Sequence, residues 1–181
     1  MVNVLYVAGW GDPFGSPRYW SLLCNLSRLS PVCDVFLHTN GLLLTRERWG
    51  KLGIVADRVK GVTISIDAAC EGTYDLNRGG SWVALLRNLE FVASLGIPFH
   101  MNFVVQSNNF REMPEFVEMA FKHRVSGVYF EGLGNWDSFS PEEYAARAVH
   151  LRSHPNHGDL LDVLRNPVFR EPRVRMALSC F

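Results

Sequence analysis

Hydrophobic residues in this chain switch repeatedly between two periods, and that alternation restricts the available folds more than any other feature. Short runs rich in β-branched and aromatic residues, each bounded by turn residues, fall at 2–8 (VNVLYVA), 34–39 (DVFLHT), 61–67 (GVTISID), 98–106 (PFHMNFVVQ) and 126–131 (SGVYFE). These read as five strands. Between them the apolar spacing is helical and each stretch has a start signal: Ser16-Pro17 before Tyr19, Leu22, Leu23 and Leu26; Thr45 before Trp49 and Leu52; Ser81 before Trp82, Leu85, Leu89 and Val92, closed by Gly96. A Ser or Thr hydroxyl satisfies a free N–H of the first turn, where Pro is also tolerated. A fourth helix is expected after Asn109, with Met113, Phe116, Val117, Ala120 and Phe121 on one face and Pro114 in its first turn. Ser140-Pro141-Glu142-Glu143 has the form of a capping box. Strict alternation of strand and helix requires parallel strands joined by right-handed crossovers, so the expected class is α/β with a parallel sheet sandwiched by or wrapped in helices.

A chain of 181 residues that is 48% hydrophobic suffices for one unit with a real core. Its 18 basic residues balance 18 acidic ones without a Lys/Arg block, which removes the footprint of a nucleic-acid or anionic-membrane binder and favours a small partner. The opening MVNVLYVAGWG has no basic flank, and no run approaches the roughly 18 apolar residues of a membrane span, so a cytoplasmic protein is expected. Cys24, Cys33, Cys70 and Cys180 fall in no CxxC, CxxxC or Cys/His-finger spacing. Scattered cysteines in a cytosolic chain read as reduced and structural.

In parallel α/β folds the functional groups gather where strands hand over to the following loops. Four such corners are more polar than a core needs. The first is Gly9, Gly11, Asp12 and Pro13, where absent β-carbons let backbone approach a ligand, although a tight turn explains the same residues. Thr39-Asn40-Gly41 is the second, again a ligand loop or a turn. Ser65 and Asp67 are two apart on one strand face, opposite Ile64 and Ile66; taken alone, Asp67 serves equally as a cap for a helix starting near Ala68. The fourth pairs Asn102 and Gln106 opposite Met101, Phe103 and Val105. Burying so many polar groups without partners costs about 1 to 3 kcal/mol each, so their recurrence at successive strand ends points to a ligand.

The segments GWGDPFGSPRYW, LHTNGLLLT, ISIDAACEGTYDLNRGGSW, NFVVQSNNFREMPEF and VYFEGLGNWDSF, in this order and spacing, resemble the strand-to-helix segments of radical S-adenosylmethionine (radical SAM) proteins, especially those of the SPASM-associated branch. The resemblance runs from about Val2 to Phe139. It implies a partial TIM-like (βα) barrel, here of about five parallel strands with helices outside, holding S-adenosylmethionine and a [4Fe–4S] cluster at its open top. Gly11, Asp12 and Pro13 match the segment that receives the methionine amino group, Ser65 and Asp67 the positions that meet the ribose, and Asn102 and Gln106 positions near the cofactor. The backbone from Tyr129 to Glu131 matches the adenine-side strand.

The departure from the family is the cluster. The resemblance implies a CxxxCxxC loop after a first strand, and this sequence contains no such motif. The expectation is therefore a truncated core at 1–139, lacking the family's first strand and cysteine loop, followed at 140–181 by a helix and extended tail packing on it, with no metal ligands of its own. Such a chain does not cleave S-adenosylmethionine. Two alternatives stand beside it: a non-catalytic SAM-binding or accessory module, and a plain nucleotide- or sugar-binding α/β domain. An open first strand would also favour self-association. The spacing of His150, His154 and His157 could present imidazoles to a metal, but Pro155 interrupts a common helix face, which leaves solvated surface histidines as the expectation. Trp136 and Phe139 follow the last expected strand and either roof a pocket or plug the barrel base.

Overall fold

The computed structural model describes residues 3–9, 11–29 and 33–178. Its strands are β1 (Val4–Val7), β2 (Asp34–Thr39), β3 (Val59–Ser65), β4 (Phe99–Val105), β5 (Gly127–Gly132) and β6 (Val174–Ala177), and its helices are α1 (Pro17–Leu29), α2 (Arg46–Lys51), α3 (Glu71–Asn77), α4 (Trp82–Ser94), α5 (Met113–Lys122), α6 (Pro141–Arg147) and α7 (His157–Val163). The strands form one six-stranded parallel sheet in the order of the sequence, β1 to β6. Sequential order with intervening helices is the winding of a partial (βα) barrel.

The start signals work as read. Thr45 accepts from Arg48 N, Ser81 from Ala84 N, and Ser140 with Glu143 closes a reciprocal capping box. Three expectations need correction. The sheet has a sixth strand, β6, hidden in the Pro-punctuated tail because four residues, VRMA, are too few to show a period. The third strand stops at Ser65, so Asp67 lies beyond it at a positive φ of 59°. Asn109 does not cap a helix; a turn of 3-10 helix, Phe110–Glu112, precedes α5, and the Asn109 amide serves the strand ends instead.

By compactness the chain divides into two units, Met1–Ser65 with Gly80–His100, and Ile66–Gly79 with Met101–Phe181. In the first, Val35, Leu37, Val62 and Ile64 on one sheet face are buried together with Leu23 and Leu26 of α1 and Leu85, Leu89 and Val92 of α4. In the second, an aromatic cluster forms the centre: the Phe103 ring lies 4.8 Å from Phe116 and 5.4 Å from Phe130, and Phe130 lies 5.8 Å from Phe169, in tilted or edge geometry. No helix among the described residues is long and apolar enough to cross a membrane.

Candidate functional site

In the first unit the loop after β1 is shaped by Gly9 and Gly11, at φ of 110° and 119°, which only glycine adopts without strain. The loop then turns on Asp12. One carboxylate oxygen accepts Phe14 N at 2.9 Å; the other accepts the Thr39 hydroxyl at 2.5 Å and Asn40 N at 2.8 Å. Asp12 thus ties the end of β1 to the end of β2, while Pro13 beside it is buried. Thr39 in turn accepts Gly41 N at 3.1 Å, and the Asn88 amide of α4 donates to the carbonyls of Gly41 and Leu42, each at 2.9 Å. At the end of β3, Ser65 is buried and its hydroxyl lies 2.7 Å from His38 Nε2.

In the second unit Asp67 is buried in the left-handed conformation and bound on every side. Its carboxylate takes Arg78 Nη2 at 2.6 Å and Val104 N at 2.7 Å, and its carbonyl takes Asn77 Nδ2 at 2.8 Å and Asn109 Nδ2 at 3.0 Å. Burial pushes the Asp67 carboxyl above the ordinary carboxylate value, against the pull of Arg78 and the Val104 N–H. Asn102 donates to Glu131 at 3.2 Å. Gln106 is held through its backbone by Asn109, whose Oδ1 accepts Gln106 N at 2.7 Å. The Gln106 amide group, on a residue only 8% exposed, has no hydrogen-bond partner among the described residues, which fits a neutral polar ligand. Beside this group Glu112 accepts Ala69 N at 2.7 Å and the Thr73 hydroxyl.

The sequence-derived candidates therefore differ in what they offer. Gly11, Asp12, Pro13 and Ser65 belong to the first unit, and there Asp12 and Ser65 take separate partners. Asp67, Asn102 and Gln106 belong to the second, where Asn109 links Asp67 to the end of β4. Asp12 and Asp67 spend their carboxylates on the fold, whereas Ser65 and Gln106 keep polar groups for a ligand. The sequence reading missed His38, Arg78 and Asn109. His38 was detectable: it is the polar residue on the strand face opposite Val35 and Leu37. Arg78 was not, since it follows a seven-residue helix containing Gly72 that no period reveals.

An iron–sulfur cluster needs several thiolates in reach of one another. Cys33 is buried and donates to Asp34 O, while Cys24 and Cys70 are exposed, and Cys180 lies outside the described residues. No set of His, Cys, Asp and Glu among the described residues is arranged to hold a metal ion. The cysteines of these 181 residues do not fit a [4Fe–4S] cluster.

The C-terminal histidines are not the solvated groups expected. His154 is buried, with Nε2 3.1 Å from Ala146 O and Nδ1 accepting Asn156 N at 3.1 Å, which fixes a neutral tautomer. His157 Nδ1 lies 3.2 Å from Val149 O. The His150 ring is buried above Gly132, where a Cβ would meet it at 3.1 Å, and its Nδ1 has no partner among the described residues. Burial, then the neighbouring His157, holds His150 below the ordinary histidine value of 6.5. Because the unfolded chain binds this proton first, the contribution is complete above 6.5 and is lost as the pH falls through the folded value. The melting temperature is expected to fall between pH 7 and pH 5, and less steeply in His150→Gln; an equal slope in both proteins would exclude His150 as a source. Trp136 is 82% exposed and Phe139 lies under the Arg147 guanidinium at 5.0 Å, so Trp136 does not plug a core.

No family profile matches the chain. Over 124 residues it is 36% identical to the AdoMet-dependent heme synthase of Methanosarcina barkeri (strain Fusaro / DSM 804), a match covering 64% of this chain and 35% of that protein. The chain thus spans little more than a third of that relative. Among solved structures, Streptococcus suis SuiB bound to S-adenosylmethionine superposes on 96% of this chain and 37% of its own with a TM-score of 0.64 at 12% identity. The structure of anSMEcpe with bound AdoMet and a peptide gives 0.59 at 17% identity, over 96% of this chain and 50% of its own. A domain of pyruvate-formate lyase-activating enzyme from Bacteroides vulgatus gives 0.53 at 13% identity, and the match covers 88% of this chain and 91% of that domain. At these identities the structural likeness is one of fold.

Proposed function

We propose that this chain, which belongs to the radical S-adenosylmethionine superfamily, is the part of a radical enzyme that binds S-adenosylmethionine at its strand ends. The observation that carries the reading is the 36% identity over 124 residues to a protein named for its dependence on AdoMet. In this reading the loop of Gly11, Asp12 and Pro13 receives the methionine amino group through backbone that Asp12 holds in shape, and Ser65 and Asp67 are the ribose positions. Asn102 and Gln106 supply neutral hydrogen-bonding groups to the cofactor. Placement on the SPASM-associated branch and a cytoplasmic location belong to the same reading.

In the superfamily S-adenosylmethionine supplies a 5′-deoxyadenosyl radical for hydrogen abstraction once an iron–sulfur cluster reduces it. The ligands for that cluster must come from outside these 181 residues, so the chain alone is a binding scaffold without radical activity. A non-catalytic SAM- or nucleotide-binding module makes the same binding prediction and separates from it by ligand preference.

Calorimetric titration of the chain is expected to give one saturable S-adenosylmethionine site. Ser65→Ala and Gln106→Ala should each weaken it about fivefold, the value of one lost hydrogen bond of about 1 kcal/mol. Adenosine binding as tightly as S-adenosylmethionine would favour the plain nucleotide-binding module. Absence of saturable binding would overturn the proposal.

A further inference from the structure

The first unit contains a cavity of about 310 Å³ on the sheet face turned away from the buried aliphatic core, and the cofactor positions do not account for it. Pairing sets its wall: Tyr6 is opposite Phe36, Phe36 opposite Gly61, and His38 opposite Thr63, so these residues share one face of adjacent strands. Lys60 and His100 line it as well.

Two features are unusual for a bare sheet face. The Tyr6 ring lies parallel on Phe36, with centroids 4.9 Å apart and planes at 17°, yet Tyr6 is 71% exposed. A flat aromatic platform held open to water is surface in want of a cover. Gly61 keeps the platform in place, because a Cβ there would sit 3.0 Å from Phe36 Cδ1. The second feature is charge: the lining contains Lys60, His38, His100 and Thr63, and neither Asp nor Glu. Burial keeps the His100 imidazole below its ordinary value, so near neutral pH it is an uncharged hydrogen-bonding group and Lys60 is the fixed cation. Stacking surface, neutral polar groups and one cation together select a planar ring bearing a negative charge. The volume is at the small end of ligand sites, enough for one ring system with a short arm.

From this we infer that the cavity built on Tyr6, Phe36, His38, Lys60, Thr63 and His100 binds a small aromatic carboxylate. It rests on the proposed function only in that this ligand would be the substrate.

The test is a titration of the full 181-residue chain, followed by two-dimensional amide NMR, with 4-hydroxybenzoate, benzyl alcohol and benzylamine as anionic, neutral and cationic probes. Saturable shifts centred on Tyr6, Phe36, His38 and Thr63 are expected with 4-hydroxybenzoate, weaker ones with benzyl alcohol and none with benzylamine. Tyr6→Ala, at an exposed site that the fold does not need, should weaken 4-hydroxybenzoate at least about fivefold. Lys60→Glu, also exposed, should reverse the order of the anionic and cationic probes. Equal binding of all three probes, or indifference to both substitutions, would overturn the inference. So would a concentration-dependent dimer that Tyr6→Asp disperses, since a second copy would then be the cover. S-adenosylmethionine added to the same samples separates the two readings: if it binds and 4-hydroxybenzoate does not, only this inference fails, and in the opposite case only the proposed function does.

Discussion

Asp67→Ala is expected to lower the stability of the chain by about 3 kcal/mol or more, the cost of leaving one member of a buried ion pair without its partner. Asp67 is 4% exposed, and three separate features of the fold meet on it. Its carboxylate joins Arg78 at the end of α3 to the N–H of Val104 in β4, at 2.6 and 2.7 Å. Removal strands an N–H and leaves a guanidinium whose side chain is 28% exposed, so part of the loss is relieved by water reaching Arg78. The backbone adds to the loss. At a φ of 59° Asp is among the few residues that tolerate the left-handed region, and Ala costs about 1 kcal/mol more there. Asp67→Asn keeps that tolerance and an acceptor for Val104 while removing the charge, and should lose about half as much. Urea unfolding with an unchanged m-value checks the order of the three proteins. If Asp67→Ala and Asp67→Asn unfold together with the native chain, the carboxylate has no structural part, and the ribose role becomes the better account of it.

That example shows what could and could not be read from the residues. The polarity of Asp67 at a strand end was plain from period alone, and so was its position after Ile64 and Ile66, both now fully buried. Its partner was not, because Arg78 is eleven residues away across a helix too short to announce itself. Helix starts were legible wherever a hydroxyl meets an N–H three residues on, as at Thr45, Ser81 and Ser140, since that chemistry is local. The sixth strand was not, because a four-residue strand takes its existence from pairing with β5. Among the site candidates, residue type identified the corners, but the division of work within each depends on contacts distant in sequence. Asp12 holds Thr39 and Asn40 while Gln106 leaves its amide unclaimed, and neither fact follows from spacing.

Gly41→Ala should be the most damaging single-methyl addition at these strand ends, and Gly53→Ala shows why. Both glycines have positive φ, 79° and 56°, so both substitutions incur the left-handed penalty of about 1 to 2 kcal/mol. At Gly53 nothing lies within 4 Å of the added carbon, and the penalty is the whole effect. At Gly41 the new Cβ would stand 2.8 Å from Ile64 Cγ2 and 3.1 Å from Leu85 Cδ1, both fully buried, so either the core or the turn must move, at about 1 to 3 kcal/mol more. The turn is the softer side, and it presents the Thr39 hydroxyl and the Asn40 N–H to Asp12. Displacing it frees the loop after β1, so a fall in S-adenosylmethionine affinity should accompany the loss of stability in Gly41→Ala and be absent in Gly53→Ala. Thermal melts and calorimetric titrations of the two variants, each against the native chain, make the comparison. Equal destabilisation would mean that the Ile64 and Leu85 contacts relax freely. Unchanged affinity in Gly41→Ala would show that the link from Thr39 to Asp12 does not shape the loop assigned to the methionine amino group.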